Sequence, residues 1–225
     1  MSEMLNVANE RHVPPLSAAV IAGGKSSRMG RDKALLTVSE HDPPMLQSVL
    51  ETLHEVAAEV FIVDNDPVRY GHLGVRIVPD VHPGGGALLG IQSAIRHAMF
   101  QHCLVVACDM PFLNAALLAR MAREPRSYDV LVPVLPGVSR QRGGRIYQTL
   151  HAIYSKDCAP AIQSRVERGE LQVVGFFADV HVRELPAEVL AATDPGLLSF
   201  FNANTPEALQ QARALRLAGE PRLRP

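Results

Sequence analysis

LSAAVIAGGKSSRMGRDK, residues 16–33, sets a short, almost wholly apolar run against a loop of glycines and cations. Leu16 to Ala22 is too short for an independent helix and is stopped by Gly23-Gly24, which is the form of a buried strand. The loop Gly23–Lys33 carries three glycines, two serines and four cations (Lys25, Arg28, Arg31, Lys33) against one acid, Asp32. Gly23 and Gly24 allow backbone N–H groups to approach an oxyanion closely, and strand tips in an α/β sheet open onto the crevice where ligands bind. Arg28 and Lys33 can neutralise a polyphosphate there, one as a planar fork and the other as a movable point charge. Two better-known phosphate loops do not fit. A Walker A motif ending in Gly24-Lys25-Ser26 requires glycine at position 19, which is Ala19, and the spacing lacks G-x-G-x-x-G.

Outward from this loop, apolar runs alternate with segments of helical period. Met45, Leu46, Val49, Leu50, Leu53 and Val56 mark a helix, Val60–Val63 and Gly74–Val78 two strands, Leu88 to Met99 a second helix, and Cys103–Ala107 a fully apolar strand. This β-loop-α-β-β-α-β order predicts an α/β fold, a three-layer α/β/α arrangement around a mostly parallel sheet. Downstream, Leu113–Arg123 reads as a helix, Asp129–Val134 and Gln148–Tyr154 as strands, and Ala159–Arg168 as a helix ended by Gly169. Leu171–Leu185 is strand-like, Pro136–Arg145 reads as a basic loop, and Thr205-Pro206 caps a last helix running to about Leu217. With no internal repeat and no low-complexity linker, residues 1–225 read as a single domain with its ordered core at about 16–217.

Lys plus Arg total 22 against 23 Asp plus Glu, a formal charge of -1, so no whole-protein field favours nucleic acid or anionic lipid. No apolar run approaches the roughly 18 residues of a membrane span, and the polar start MSEMLNVANERHVPP lacks a secretory apolar core. A cytoplasmic protein is expected. Cys103, Cys108 and Cys158 have neither disulfide-framework nor C-x-x-C spacing, and nine scattered histidines form no metal motif. The cysteines are expected to act as small buried hydrophobes.

Two aspartates follow strands on the same sheet edge as the loop. Asp109, in CDMPFL (Cys108–Leu113), stands at the carboxyl end of a central strand. A carboxylate facing a polyphosphate is repelled unless a divalent cation lies between them, so Asp109 reads as a Mg²⁺ ligand. Asp80, in IVPDVHPGGGALLGI, precedes a glycine-rich turn and suits either a ribose hydroxyl or the metal shell.

IAGGKSSRMGRDKALL, then Asp80 with GALLGI, then CDMPFL, then FNANTPEAL, in that order, resemble the MobA family of molybdenum cofactor guanylyltransferases. The likeness runs from Leu16 to about Leu217. It implies a Rossmann-like nucleotidyltransferase in which the terminal phosphate of molybdopterin attacks the α-phosphate of GTP and pyrophosphate leaves. It also implies nucleotide contacts at Ile21, Ala22, Gly23, Lys33 and Asp80, and a magnesium aspartate at Asp109. Gly23, in the A-G-G opening, resembles the guanylyl branch, whereas A-A-G marks the cytidylyl branch. Asp64, within VDND, stands where the family often has an asparagine touching nucleotide, and Gly86-Ala87-Leu88-Leu89-Gly90 replaces the family's G-P-L-A-G. An anionic pterin implies a cradle after Asp109, with Arg140, Arg142, Arg145, His151 and Asn204 as candidates. Apo-molybdoenzymes or their chaperones are implied as recipients, though no motif names them. Two other readings stay open at this point: a nucleotidyltransferase using CTP or a sugar-phosphate acceptor, and a non-catalytic carrier of cofactor or nucleotide.

Overall fold

A computed structural model describes residues 13–23, 33–81, 85–137 and 144–219. Strands β1 (Ser17–Ile21), β2 (Glu59–Val63), β3 (Arg76–Val78) and β4 (His102–Ala107) pair in parallel in the order β3-β2-β1-β4. Helices α1 (Met45–His54) and α2 (Gly86–His97) make the crossovers. The apolar residues of β1 split between two cores. Ala18 and Val20 join Ile62, Leu104 and Val106 under α1 and a third helix, α3 (Ala115–Ala122). Ala19 joins Phe61, Val63 and Val105 under α2 and a later helix, α4 (Ala159–Glu167). Continuous apolar strands are therefore what a sheet covered on both faces requires. The expected three-layer α/β architecture is the one observed.

The second half departs from an all-parallel sheet. Strand β5 (Val130–Pro136) is antiparallel both to β6 (Arg145–Tyr147) and to β7 (His151–Ser155), and β7 is in turn antiparallel to β4. Strand β8 (Val182–Pro186) pairs β5 in parallel on its other edge. The expected strand over 148–154 begins only at His151, because Gln148 N donates to Pro133 O (2.9 Å) and His151 N to Gln148 O (3.1 Å), closing a turn. The basic loop expected over 136–145 has strand at both ends, where Pro136 pairs Arg145. Gly144 takes φ +72°, a conformation open to glycine, and its carbonyl accepts from Gly137 N at 2.6 Å.

The segment Leu171–Leu185 is not one strand. Val173–Asp179 coils as 3-10 helix before β8. An extended chain would send Phe176 and Phe177 to opposite faces. Here both rings join the same core, packed edge to face at 5.1 Å, with Phe177 also edge-on to Tyr147 at 5.6 Å. Short helix α5 (Ala187–Ala191) follows β8, and α6 (Pro206–Leu217) closes the chain. Thr205 caps α6 as expected, its Oγ1 accepting from Ala208 N at 3.1 Å with Pro206 in the first turn. Cys103 and Cys158 are buried and Cys108 is half-buried, with no disulfide among them. Burial pushes the Cys103 thiol up and the Cys158 thiol up to about 12, so neither is a nucleophile. Among the described residues no helix is long and apolar enough to cross a membrane.

Candidate active site

The parallel register aligns Ile21 with Ala107, so Ala22-Gly23 and Cys108-Asp109 leave neighbouring strands side by side. Adjacent strands lie only about 4.8 Å apart. The N–H groups of both Ala22 and Gly23 point to Val63 O at 3.2 Å, which bends the chain over the tip of β2. A Cβ built on Gly23 would rest 3.7 Å from Val63 O and 3.9 Å from the Asp64 carboxylate, an ordinary contact. Packing does not demand glycine there. The missing side chain leaves room above the strand tip, where a bound group could reach the backbone.

Lys33 opens the 3-10 turn Lys33–Leu35, whose Ala34 is buried and whose exit leads into α1 through Met45 N donating to Leu36 O at 2.9 Å. The Lys33 charge reaches Asp109. Burial raises the Asp109 carboxyl above its ordinary value, and the Lys33 ammonium partly opposes that rise. The two groups thus lie within electrostatic reach of each other although they are 76 positions apart in the chain. Among the described residues no salt bridge occupies Asp109, so a half-buried carboxylate stands with its charge only partly compensated.

The carboxyl-terminal motif comes to the same place. The Asp109 carbonyl accepts from Ala203 N at 2.8 Å, which docks FNAN against CDMPFL. Phe112 and Phe201 meet edge to face at 5.8 Å, and Val38, Met45, Phe112, Ala203, Leu209 and Ala212 form a small core beneath. Asn202 Nδ2 donates to Phe200 O (3.1 Å), satisfying a turn, and Asn204 is exposed beside it. One apolar cluster therefore holds the segment after Lys33, the segment after Asp109 and the start of α6 in fixed relation.

Asp80 stands past the tip of β3, held from two sides. Its N–H donates to Asn65 Oδ1 (2.9 Å), and its carboxylate lies 2.9 Å from the hydroxyl of buried Ser93 on α2, which also accepts from Val81 N. Asn65 and Ser93 were not singled out in the sequence; an asparagine just past a strand end was the available signal for the first. Asp64 is 3% exposed and turned inward, its Oδ1 accepting from Asp66 N at 2.7 Å and its Oδ2 lying 3.7 Å from Arg69. That carboxylate builds a turn under Gly23.

Of the pterin candidates, Arg140 and Arg142 lie outside the described residues, as do Gly24 and Arg28 of the glycine loop. Arg145 starts β6, where it pairs with Glu184 of β8; Glu184 also accepts from Tyr147 Oη at 2.7 Å. His151 has no exposed surface, so it cannot present its ring to a substrate in this arrangement. Its side chain packs on Phe200 with ring centroids 4.6 Å apart, and burial lowers its pKa to about 3. The expectation of a ligand-facing histidine is corrected to a core one: β7 is a central strand covered on both faces.

Residues 18–182 match the family model for the MobA-like NTP transferase domain, close to three-quarters of the chain. The chain belongs to the MobA-like NTP transferase family. Among curated members of this family, a protein of Pelotomaculum thermopropionicum named probable molybdenum cofactor guanylyltransferase is 40% identical over 88% of this chain and 92% of its own. One from Clostridium perfringens with the same name is 33% identical over 84% of this chain and 91% of its own. A crystal structure of molybdopterin-guanine dinucleotide biosynthesis protein A from Archaeoglobus fulgidus superposes with a TM-score of 0.73 at 26% identity, covering 90% of this chain and 99% of that one. The matched residues 18–182 take in the crevice strands β1 and β4 with Gly23, Lys33, Asp80 and Asp109, and end before the FNAN segment.

Proposed function

We propose that this MobA-like transferase is a molybdenum cofactor guanylyltransferase, joining GMP from GTP to the terminal phosphate of molybdopterin with release of pyrophosphate. The observation that carries the reading is the half-buried Asp109 just past the tip of β4, beside the tip of β1 and within electrostatic reach of Lys33 at the start of the 3-10 turn. In the reaction an acceptor phosphate oxygen forms a bond to the α-phosphorus of GTP while the bond to the β-phosphate oxygen breaks. Such transfers need positioning and charge neutralisation more than a protein nucleophile. Lys33, with Arg28 and the glycine-loop amides beyond Gly23, holds the β- and γ-phosphates and stabilises the departing pyrophosphate. The base lies against Ile21, Ala22 and Gly23, where the missing side chain of Gly23 leaves it room, and Asp80, oriented by Asn65 and Ser93, meets the ribose.

Asp109 fits a metal that arrives with the nucleotide. Mg²⁺ is commonly held by one or two carboxylates plus substrate phosphates, and the described residues contain no cluster of three His, Cys, Asp or Glu that would cage an ion unaided. Bound there, Mg²⁺ would neutralise charge on the reacting phosphates. The acceptor would lie on the β6 side, where a cavity of about 400 Å³ is lined by Arg145, Tyr147, Thr149 and Gln172. An anionic pterin would compete with Glu184 for Arg145, and exposed Asn204 stands beside the docked FNAN turn.

Pyrophosphate release is the test, measured with purified protein, Mg²⁺ and GTP, CTP or ATP, with and without molybdopterin. Release from GTP that requires molybdopterin is expected. Release from CTP with GTP inert would overturn the guanylyl assignment.

A further inference from the structure

Among the described residues, β6 has one edge that no other strand covers. Strand β8 occupies one side of β5, so β6 and β7 share the other, and β7 in turn pairs β4. The outer edge of β6 therefore lies toward the strand from which Asp109 leaves. Strand β4 ends at Ala107, whose N–H donates to Leu150 O at 3.3 Å, and the chain turns from there into β6 with no strand alongside.

The register fixes which groups stand on that edge. Antiparallel partners alternate between pairs that exchange hydrogen bonds and pairs that do not. Gln148 N donates to Pro133 O (2.9 Å) and Gly137 N to Gly144 O (2.6 Å), so Ile146, midway between them, bonds inward to Leu135. The N–H and C=O of Tyr147 and of Arg145 then project away from β5. Such main-chain groups on a sheet edge are a template for a further hydrogen-bonding partner. The side chains of the same two residues are already engaged, Arg145 with Glu184 and Tyr147 Oη donating to Glu184 at 2.7 Å. The cavity of about 400 Å³ runs along this edge. Arg145, Ile146 and Tyr147 all line it, although successive side chains of a strand go to opposite faces, so it follows the rim of the strand and not one face. Val173 and Val174 supply an apolar wall, and Ile146, 47% exposed, an apolar lip.

We propose that this edge recognises the pterin of the acceptor through the main chain: the Tyr147 N–H donates to the 4-oxo oxygen of the ring, and the Tyr147 carbonyl accepts from its N3–H. The inference rests on the guanylyltransferase reading and names what selects the acceptor. A lactam sets a donor beside an acceptor on one side of a flat ring, the complement of the acceptor and donor that one edge residue presents. The ring prolongs the sheet with aliphatic side chains against it, a mostly apolar site with a few placed polar groups. Guanine carries the same lactam, so the nucleotide base is the rival occupant of this edge, and the experiment separates the two.

The experiment is an NMR titration of the full chain with 6-hydroxymethylpterin and with its 3-methyl derivative, which lacks the N3–H, following backbone amide signals with and without saturating GTP and Mg²⁺. Saturable binding of the parent pterin is expected in both conditions, with a downfield shift and slowed hydrogen exchange at the Tyr147 amide. The 3-methyl derivative should bind at least tenfold more weakly. Replacing Tyr147 by its α-hydroxy acid, which exchanges only the N–H for an ester oxygen, should weaken the parent pterin about fivefold, the scale of one neutral hydrogen bond. No saturable binding, equal affinity for the two pterins, or an ester-containing chain that binds normally would each overturn the proposal. Loss of pterin from Tyr147 on adding GTP would overturn it too, by giving the edge to the base. The two readings fail separately. Molybdopterin-dependent pyrophosphate release beside equal binding of the two pterins would remove only this inference, whereas pterin held at Tyr147 with no release from GTP would remove the guanylyl reading and keep the pterin site.

Discussion

Asp109→Ala should lower guanylyl transfer by about 10²- to 10³-fold, the scale seen when a preorganised electrostatic group is removed from a transition state, while leaving the fold in place. The second half of that expectation follows from the site itself. What docks FNAN on this segment is the Asp109 backbone carbonyl, which alanine keeps. The carboxylate is held in a partly desolvated position that raises its pKa, with Lys33 only partly offsetting the cost. Removing it relieves that cost, so the thermal midpoint should stay level or rise as activity disappears, the usual trade between stability and a strained functional group. Asp109→Asn, which keeps shape and loses charge, should behave alike. Near-normal turnover in either variant would remove Asp109 from the chemistry.

A loss of stability in mild acid is the second large effect, and His151 is its source. In the folded chain burial holds the imidazole neutral down to about 3, the Ser199 backbone opposing only weakly because neither ring nitrogen has a partner in hydrogen-bond geometry. In the unfolded chain the ring titrates near 6.5. Between those values the unfolded state binds a proton that the folded state does not, so stability falls as pH falls, by about 1.4 kcal/mol per pH unit. From pH 7 to pH 5 His151 alone should remove about 2 kcal/mol. His102 adds in the same direction, its pKa lowered by burial and by Arg126. Urea denaturation at several pH values should give a flatter acid slope for His151→Leu than for the unmodified chain. An unchanged slope would mean that the ring is protonated in the folded state. Because His151 stacks on Phe200, two residues before Asn202, acid should loosen the FNAN dock early.

What could be read from residues alone was set by local physics. The apolar run ending in Gly23-Gly24 and the wholly apolar segment before Asp109 are buried on both faces, so composition identified both as strands and their tips as neighbours. Helical spacing likewise located α1 and α2, and the Thr205-Pro206 cap located α6, each to within a few residues. Strand direction in the second half was not legible, because an alternating or apolar pattern is the same whichever way the strand runs. The 3-10 coil at Val173–Asp179 depends on Phe176 and Phe177 meeting Tyr154 and Tyr147, partners about 20 to 30 residues distant. His151 was misread for a related reason: its polarity suggested a ligand contact, while its position on β7 between β4 and β5 buries it. Arg145 was legible as a cation near the crevice but not as the partner of Glu184. Asn65 and Ser93 escaped notice because they act on Asp80 from another strand end and from a helix.

The most direct measurement is a crystal structure of this chain with a non-hydrolysable GTP analogue and Mn²⁺, using the anomalous signal of manganese to locate the ion. The account predicts the ion on the Asp109 carboxylate, the β- and γ-phosphates toward Lys33 and the glycine loop, and the base over Gly23. Manganese and phosphates found away from both Lys33 and Asp109 would contradict it.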